Sequence, residues 1–155
     1  MSGMILISRT YRFSAAHRLH TDRLPDDVNR KIYGKCNNPN GHGHNYTVVV
    51  TIRSDAHGDQ DIADRARALD DLVQRCVVER FDHRHLNYDP AFRERATTGE
   101  NLARLIWELL VDQVPFGQLA KIGVVETRDN FFEYCGTPSG QGASRDRDSM
   151  PVSAI

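Results

Sequence analysis

The sequence predicts an α+β fold in which two helices cover one face of an antiparallel sheet, in the order ββααββ. Three observations predict it. Two N-terminal segments are of strand type, two central segments repeat apolar residues at helical spacing, and two strand-type segments follow. The 155 residues fit one domain, which we place at residues 1–136. Residues 137–155 are rich in Ser, Gly and Pro, so we predict a disordered tail there.

The first two strands are predicted from alternating residue types. Residues 4–13 place Ile5, Ile7, Tyr11 and Phe13 on one face. Residues 44–54 alternate more clearly, with the apolar side of the strand formed by Tyr46, Val48, Val50 and Ile52. Each segment is therefore predicted as a strand with one buried face.

The next two elements are predicted as amphipathic helices. Apolar residues recur at helical spacing over residues 69–77 and again over residues 102–110. Thr97 and Glu100 have the spacing of a capping box at the start of the second helix. Strand character returns at residues 120–127 and 131–135, and residues 128–130 between them are typical of a hairpin turn.

Composition excludes several classes of protein. Twenty Lys and Arg against 21 Asp and Glu give a net charge of −1, which does not favour binding to nucleic acid or to a membrane surface. The apolar runs are too short to span a bilayer, and the N-terminus lacks the pattern of a secretory signal. Three cysteines without a CxxC pair favour a reducing compartment. We therefore expect a cytoplasmic protein.

Three histidines are predicted to meet at a metal ion. His42 and His44 lie two residues apart in an extended segment, so their imidazoles face the same side. His17 lies just past the end of the first predicted strand, which a hairpin would place beside the start of the second. Taken alone, the His42–His44 pair is more typical of two surface histidines beside a glycine loop, but the position of His17 favours a metal. Three histidine ligands with an open fourth position are typical of catalytic zinc.

Cys36 and three acidic residues are further candidates. Cys36 lies in a Gly/Asn/Pro loop rather than in a core, and zinc and Lys35 nearby would lower its pKa. Glu126 ends an apolar stripe. It either binds paired N–H donors of a heterocycle or lies at a solvated strand end. Asp82 would orient His83, although such pairs are common at helix ends. Glu100 is a candidate site residue as well, but it could instead serve only to cap the second predicted helix together with Thr97.

The chain resembles the 6-pyruvoyl-tetrahydropterin synthase family. The resemblance rests on five motifs: residues 13–19 (FSAAHRL), 36–46 (CNNPNGHGHNY), 82–83 (DH), 98–101 (TGEN) and 125–127 (VET). It implies the tunnelling fold (T-fold), in which ββααββ subunits form a barrel by oligomerisation. It also implies a homo-hexamer, built as a dimer of trimers with sites between subunits. The implied substrate is 7,8-dihydroneopterin triphosphate.

The resemblance also implies a role for each motif residue. His17, His42 and His44 would hold Zn²⁺. Cys36 would be the base that removes a side-chain proton, and Asp82 with His83 would relay protons. Glu126 would bind the amino-pyrimidine edge of the pterin, with Thr98 and Glu100 near that pocket.

The implied activity is a zinc-dependent lyase that makes 6-pyruvoyl-tetrahydropterin and releases triphosphate. One alternative is 6-carboxy-tetrahydropterin synthase, which releases acetaldehyde as well and serves queuosine biosynthesis. The long Cys-Asn-Asn-Pro-Asn-Gly segment favours the pyruvoyl product. The second alternative is a non-catalytic pterin-binding module, which would need neither Cys36 nor Asp82 and His83.

Three features leave open questions. Gly99 stands where the family more usually has Ser or Thr. Residues 65–68 depart from the family pattern, which leaves the structure of the expected hairpin tip at residues 55–68 open. For the triphosphate, the basic candidates Arg18, Lys35 and Arg84 are too many to choose among.

Overall fold

A long antiparallel hairpin forms the centre of the sheet. In the computed structural model, which describes residues 3–138, strand β1 (Ile5–His17) pairs with β2 (His42–Ser54) without interruption from Ile5↔Ser54 to His17↔His42. Both strands are longer than predicted. His17 was expected just past the end of the first strand, but the ladder continues through it and includes His42 as its partner. All three histidines therefore lie on regular strands.

Three further strands complete a five-stranded sheet in the order β3-β1-β2-β4-β5. Strand β4 (Gln118–Thr127) pairs antiparallel with β2, and β5 (Asn130–Tyr134) pairs antiparallel with β4. The short β3 (Arg84–His85) was not predicted. It pairs in parallel with Ala15 and Ala16 of β1, so one edge of the sheet departs from the antiparallel pattern. Two residues are too few to show alternation in sequence.

Both predicted helices are present, but the first begins at Gly58, well before the predicted residues 69–77. Helix α2 (Gly58–Val73) continues through a π-helical turn (Gln74–Val78) into the short α3 (Glu79–Phe81), and α4 (Gly99–Leu110) follows. Residues 58–68, expected as part of a hairpin tip, instead form the first turns of α2. Every helix within residues 3–138 is too short or too polar to cross a membrane.

A third helix, α1 (Asp26–Tyr33), lies in the connection between β1 and β2 and was not predicted. It is anchored by a polar residue. The buried Asn29 side chain accepts a hydrogen bond from the Thr21 backbone N–H and donates to the carbonyl oxygens of Thr21 and Leu24. Pro25, Asp26 and Asp27 are typical of a helix start, but only Val28 and Ile32 follow at helical spacing, so the apolar periodicity alone did not predict this helix.

The start of α4 differs from the prediction. Thr98 is the N-cap, and its hydroxyl accepts a hydrogen bond from the Asn101 backbone N–H. Thr97 is buried one residue earlier, where its hydroxyl is 3.3 Å from the Arg18 carbonyl oxygen. The predicted capping box of Thr97 and Glu100 is therefore wrong, and Glu100 is exposed.

Gly99, the first residue of α4, touches the ring of Phe132 on β5. A Cβ atom at this position would overlap that ring. A Ser or Thr there would force the ring or the helix to move. The glycine is therefore matched to the aromatic residue opposite it.

The core lies between the sheet and the helices α2 and α4. It is formed by apolar side chains on one face of β1, β2 and β4 and by the helix residues Leu69, Leu72, Val73, Leu102, Leu105, Ile106 and Leu110. A register shift between β2 and β4 at Thr51/Ile52 makes Leu119, and not Ala120, the buried residue at the start of β4. The stripes on the three central strands end in His17, in His42 and His44, and in Glu126.

Asp70 joins α2 to β1 and provides a test of this packing. Arg9 donates two hydrogen bonds to its carboxylate (2.9 and 2.7 Å) and the Tyr11 hydroxyl donates a third (2.7 Å). Because the groups are partly exposed, we expect Asp70→Asn to lower the free energy of unfolding by about 1 kcal/mol at pH 7. Urea denaturation would measure it, with the exposed neighbour in Asp71→Asn as control.

The Asp70 pair also predicts a pH dependence. The hydrogen bond from Arg9 holds the pKa of Asp70 below its usual range. The stabilisation is therefore complete above the unfolded pKa of about 3.9 and is lost as the pH falls through the folded pKa. The difference in stability between wild type and Asp70→Asn should shrink below about pH 4. A difference that stays constant down to pH 2 would contradict this role.

Candidate metal centre and active site

Three imidazoles converge where the core-facing stripe of the hairpin ends. His17 and His42 face each other across the last rung of the β1–β2 ladder, with ring centroids 5.3 Å apart. His44 lies two residues further along β2, and its Nε2 is 3.0 Å from Nε2 of His17. The strand register and the two-residue spacing therefore place all three rings together, as the sequence predicts.

Cys36 completes the cluster. It lies in a 3₁₀ turn (Gly34–Asn37), and its Sγ is 3.1 Å from Nε2 of His42. The turn is tied to the end of β1. The backbone N–H of Leu19 donates to the Cys36 carbonyl, and Asn37 Nδ2 donates to the Leu19 carbonyl. One donor atom from each of His17, Cys36, His42 and His44 lies within 4.8 Å of all the others.

This donor set fits a divalent metal ion. His17 Nδ1 is 2.8 Å from the Thr97 carbonyl oxygen, which can only accept, so Nδ1 carries the proton and Nε2 is free to bind. Burial lowers the pKa of His17 and of His42, and burial together with the neighbouring imidazoles lowers the pKa of His44 to about 4. All three rings are therefore neutral near pH 7, which is the form that binds metals.

Glu126 extends the site along β4. Only 10% of its side chain is exposed, and Oε1 lies 3.4 Å from Nε2 of His17 and 3.6 Å from Nε2 of His44. Within residues 3–138 this oxygen has no hydrogen-bond partner, and burial raises the pKa of the carboxyl group. A solvated strand end, one of the two readings of the sequence, is therefore wrong. The carboxylate is buried at the metal centre and faces it.

The environment of Cys36 differs from the prediction. Burial raises the pKa of the thiol, and the Glu126 carboxylate raises it further. The protein's own groups therefore hold this sulfur as a thiol, and Lys35 does not reverse that effect. A bound cation beside the sulfur would act in the opposite direction.

Asp82 and His83 form a separate pair at the beginning of the edge strand β3. Asp82 accepts a hydrogen bond from the Ser14 backbone N–H at 3.0 Å and lies 3.0 Å from His83 Nδ1. The His83 side chain is 83% exposed. Within residues 3–138, no hydrogen bond or ion pair joins either residue to Cys36 or to the three histidines. The predicted relay is thus not assembled within one chain.

Two contributors to the site were missed from the sequence. The Thr97 carbonyl orients His17, and a backbone group leaves no sequence signal. Tyr46 is buried beside His44 with ring centroids 5.7 Å apart, and within residues 3–138 its hydroxyl has no partner. Its alternation with His42 and His44 along β2 was the available signal, but we used it only to place the core.

Comparison with known proteins agrees with this site. Residues 6–137 match the family model described as 6-pyruvoyl tetrahydropterin synthase.

The chain belongs to this family.

The similarity to named 6-pyruvoyl tetrahydrobiopterin synthases covers most of each chain. The protein of that name from Homo sapiens is 40% identical over 131 residues, which span 84% of this chain and 90% of the human protein. The one from Dictyostelium discoideum is 35% identical over 137 residues, 88% of this chain and 99% of the relative. The solved structure of Caenorhabditis elegans 6-pyruvoyl tetrahydropterin synthase has a TM-score of 0.69 at 35% identity and covers 87% of this chain and 97% of that one.

These matches confirm the resemblance, the tunnelling fold of the subunit and the prediction of a lyase. The barrel, the homo-hexamer and the cytoplasmic location stay predictions. The disordered tail stays a prediction as well, since residues 139–155 lie outside the described part of the chain.

Proposed function

We propose that this protein is a zinc-dependent lyase that converts 7,8-dihydroneopterin triphosphate to 6-pyruvoyl-tetrahydropterin and triphosphate. One observation carries the proposal: three neutral imidazoles converge with the Cys36 sulfur 3.1 Å from one of them. The names of the relatives support the substrate class and favour the pyruvoyl product.

His17, His42 and His44 would hold the metal, which when bound supplies Lewis acidity to the hydroxyl groups of the substrate side chain. Cys36 removes a proton from a side-chain carbon next to such a hydroxyl. The sulfur lies 3.1 Å from Nε2 of His42, one of the proposed metal ligands, so the base is placed beside the hydroxyl groups that the metal would bind. Burial of His17 and Glu126 restricts water around the reacting carbon atoms.

The reaction needs no external oxidant. Protons and electron pairs move from the hydroxylated side chain to the dihydropterin ring, which becomes a tetrahydropterin. The side chain becomes the diketone, and the C–O bond to triphosphate breaks with the electrons leaving on the phosphate. Substrate and products therefore balance, and the chain must supply only proton transfers and positions for the two ends of the substrate.

Glu126 is proposed to bind the amino-pyrimidine edge of the pterin. Its buried Oε1 without a partner is an acceptor that N–H groups of a ring can satisfy. Thr98 and Glu100, at the N-terminus of α4, are proposed as further contacts to the pterin. The exposed Glu100 carboxylate is accessible to a ligand or to a second subunit.

The Glu126→Gln variant tests the role of this carboxylate. We expect KM to rise about 10- to 100-fold. Of the two hydrogen bonds to the carboxylate, one is lost and the other becomes weaker because its acceptor is no longer charged. Metal content should not change. The matched control is Glu133→Gln on β5, whose carboxylate pairs with Lys121. If Glu126→Gln loses the metal and Glu133→Gln keeps it, the carboxylate serves the metal and not the pterin.

Asp82 and His83 are proposed to relay protons to the Cys36 of a neighbouring subunit. Within residues 3–138 they are not joined to Cys36, yet Ser14 holds Asp82 in place and the exposed His83 directly precedes the edge strand β3. Edge strands are the part of a sheet that a second copy can approach.

The function is tested by identifying the products. The metal-loaded protein is incubated with 7,8-dihydroneopterin triphosphate, and the products are analysed by mass together with an assay for acetaldehyde. We expect triphosphate and a pyruvoyl pterin without acetaldehyde. A carboxy pterin with acetaldehyde would retain the site and replace the proposed product. No turnover by folded, metal-loaded protein would overturn the proposed function.

A further inference from the structure

A cavity of about 380 Å³ opens beside the metal centre and is lined by three cations. Arg18 follows the ligand His17, Arg30 lies on α1, and Lys35 precedes Cys36. The ligand His42 also lines the cavity, so the cavity and the metal centre share a wall. Helix α1, which the sequence pattern did not predict, supplies one of the cations.

These cations are available to an anion. Within residues 3–138, none of the three forms an ion pair, whereas Arg9, Arg65 and Arg80 are all paired with carboxylates. The Arg18 guanidinium is held in place by the Asn37 carbonyl at 3.3 Å and by His20 Nδ1 at 3.3 Å. Asp26 lines the same cavity, and within residues 3–138 it forms no ion pair with any of the three cations. The cavity therefore carries an excess of positive charge.

The position of the cavity relative to Glu126 and the metal ligands also matches the proposed substrate. Glu126 is next to His17 and His44, and Cys36 is next to His42, which borders the cavity. The order across the site is thus the carboxylate, then the metal ligands with the thiol beside His42, and then the cations. The proposed substrate has the same order of matching groups, namely ring N–H donors, hydroxylated carbons and triphosphate.

We infer that the cavity between α1 and the Cys36 turn binds the triphosphate of the substrate through Arg18, Arg30 and Lys35. This inference rests on the proposed function. It removes Arg84 from the candidates taken from the sequence, because Arg84 lines two other grooves with His83 and His85, and it adds Arg30. Phosphate oxygens accept hydrogen bonds from guanidinium and ammonium groups, and a polyphosphate can span several cations at once.

Binding of inorganic tripolyphosphate to the metal-loaded protein tests the inference by calorimetry. We expect Arg30→Ala to weaken binding about tenfold, the loss of one hydrogen-bonded cation. Arg30→Lys should restore most of it. Asp26→Asn should strengthen binding, because it removes the negative charge from the cavity. Lys31→Ala is the matched control: it removes the same charge from the adjacent exposed position of α1, which does not line the cavity.

All of these variants keep the metal ligands, so chelation of the metal by tripolyphosphate contributes equally to each. Equal affinities of Arg30→Ala and Lys31→Ala, or no binding by wild type, would overturn the inference. A second measurement uses the substrate: Arg30→Ala should raise KM for 7,8-dihydroneopterin triphosphate and leave the affinity for unphosphorylated 7,8-dihydroneopterin unchanged. If wild type binds tripolyphosphate in the expected order but turns over no substrate, the proposed function fails and the anion site stands.

Discussion

Turnover by the Cys36→Ala variant is expected to fall about 10²- to 10⁴-fold, the contribution of a positioned general base. The metal should remain bound, because His17, His42 and His44 supply three ligands without the sulfur. Replacing the thiol by a methyl group leaves the 3₁₀ turn intact, since its bonds to the end of β1 are made by the Cys36 carbonyl and by Asn37. Steady-state kinetics and metal analysis of the same preparation measure the two effects.

The matched control is Cys135→Ala. Cys135 is exposed just past β5, so its loss should change neither turnover nor metal content. Normal turnover by Cys36→Ala would show that another group removes the proton. Loss of metal from Cys36→Ala would instead show that the sulfur is a fourth ligand, which the 4.8 Å limit on the donor atoms allows.

Mixing two inactive chains tests whether the relay acts between subunits. If Asp82 and His83 serve the Cys36 of a neighbour, then Cys36→Ala and His83→Ala chains assembled together should form some sites with both groups intact. Activity should return on mixing and subunit exchange. If the mixture stays as inactive as the separate variants, the relay between subunits is wrong.

The second large effect is expected at the metal. We expect His44→Ala to weaken metal binding by more than about 100-fold. Removal of a residue that only hydrogen-bonds to a metal ligand already lowers metal affinity about 10- to 100-fold, and His44 is itself a proposed ligand. His44 is a better choice than His17, because His17 is fully buried and its removal would also leave the Thr97 carbonyl unpaired. Turnover should fall together with metal occupancy.

The thermal midpoint gives a readout that does not depend on activity. A metal that binds only the folded chain raises the midpoint. Added Zn²⁺ should therefore raise it in wild type and in His57→Ala, an exposed histidine at the start of α2, and not in His44→Ala. Equal shifts in His44→Ala and wild type would remove His44 from the ligand set.

Features that follow from strand alternation could be predicted from the sequence. The two-residue spacing of His42 and His44, and the end of the apolar stripe at Glu126, both depend only on which face of a strand a residue occupies. The meeting of His17 with this pair needed one further assumption, that β1 and β2 form a hairpin. The structure shows this hairpin, with β1 and β2 paired at every residue from Ile5↔Ser54 to His17↔His42.

Features that depend on polar tertiary contacts could not be predicted. Helix α1 is anchored by the Asn29 amide and not by an apolar face. The Thr97 hydroxyl donates to the distant Arg18 carbonyl instead of capping α4. Asp82 and His83 show a related difficulty. A motif names residues that act together but does not say whether they belong to the same chain.

The position of the histidines on the last rungs of a 13-residue hairpin also bears on how the chain reaches its native pairing. A slip of one residue between β1 and β2 would turn His42 and His44 to the opposite face from His17. Such a mispaired chain retains most backbone hydrogen bonds but has no ligand set. Metal binding therefore stabilises only the chain with the correct β1–β2 register. Zinc supplied during refolding should raise the yield of correctly paired molecules as well as their final stability.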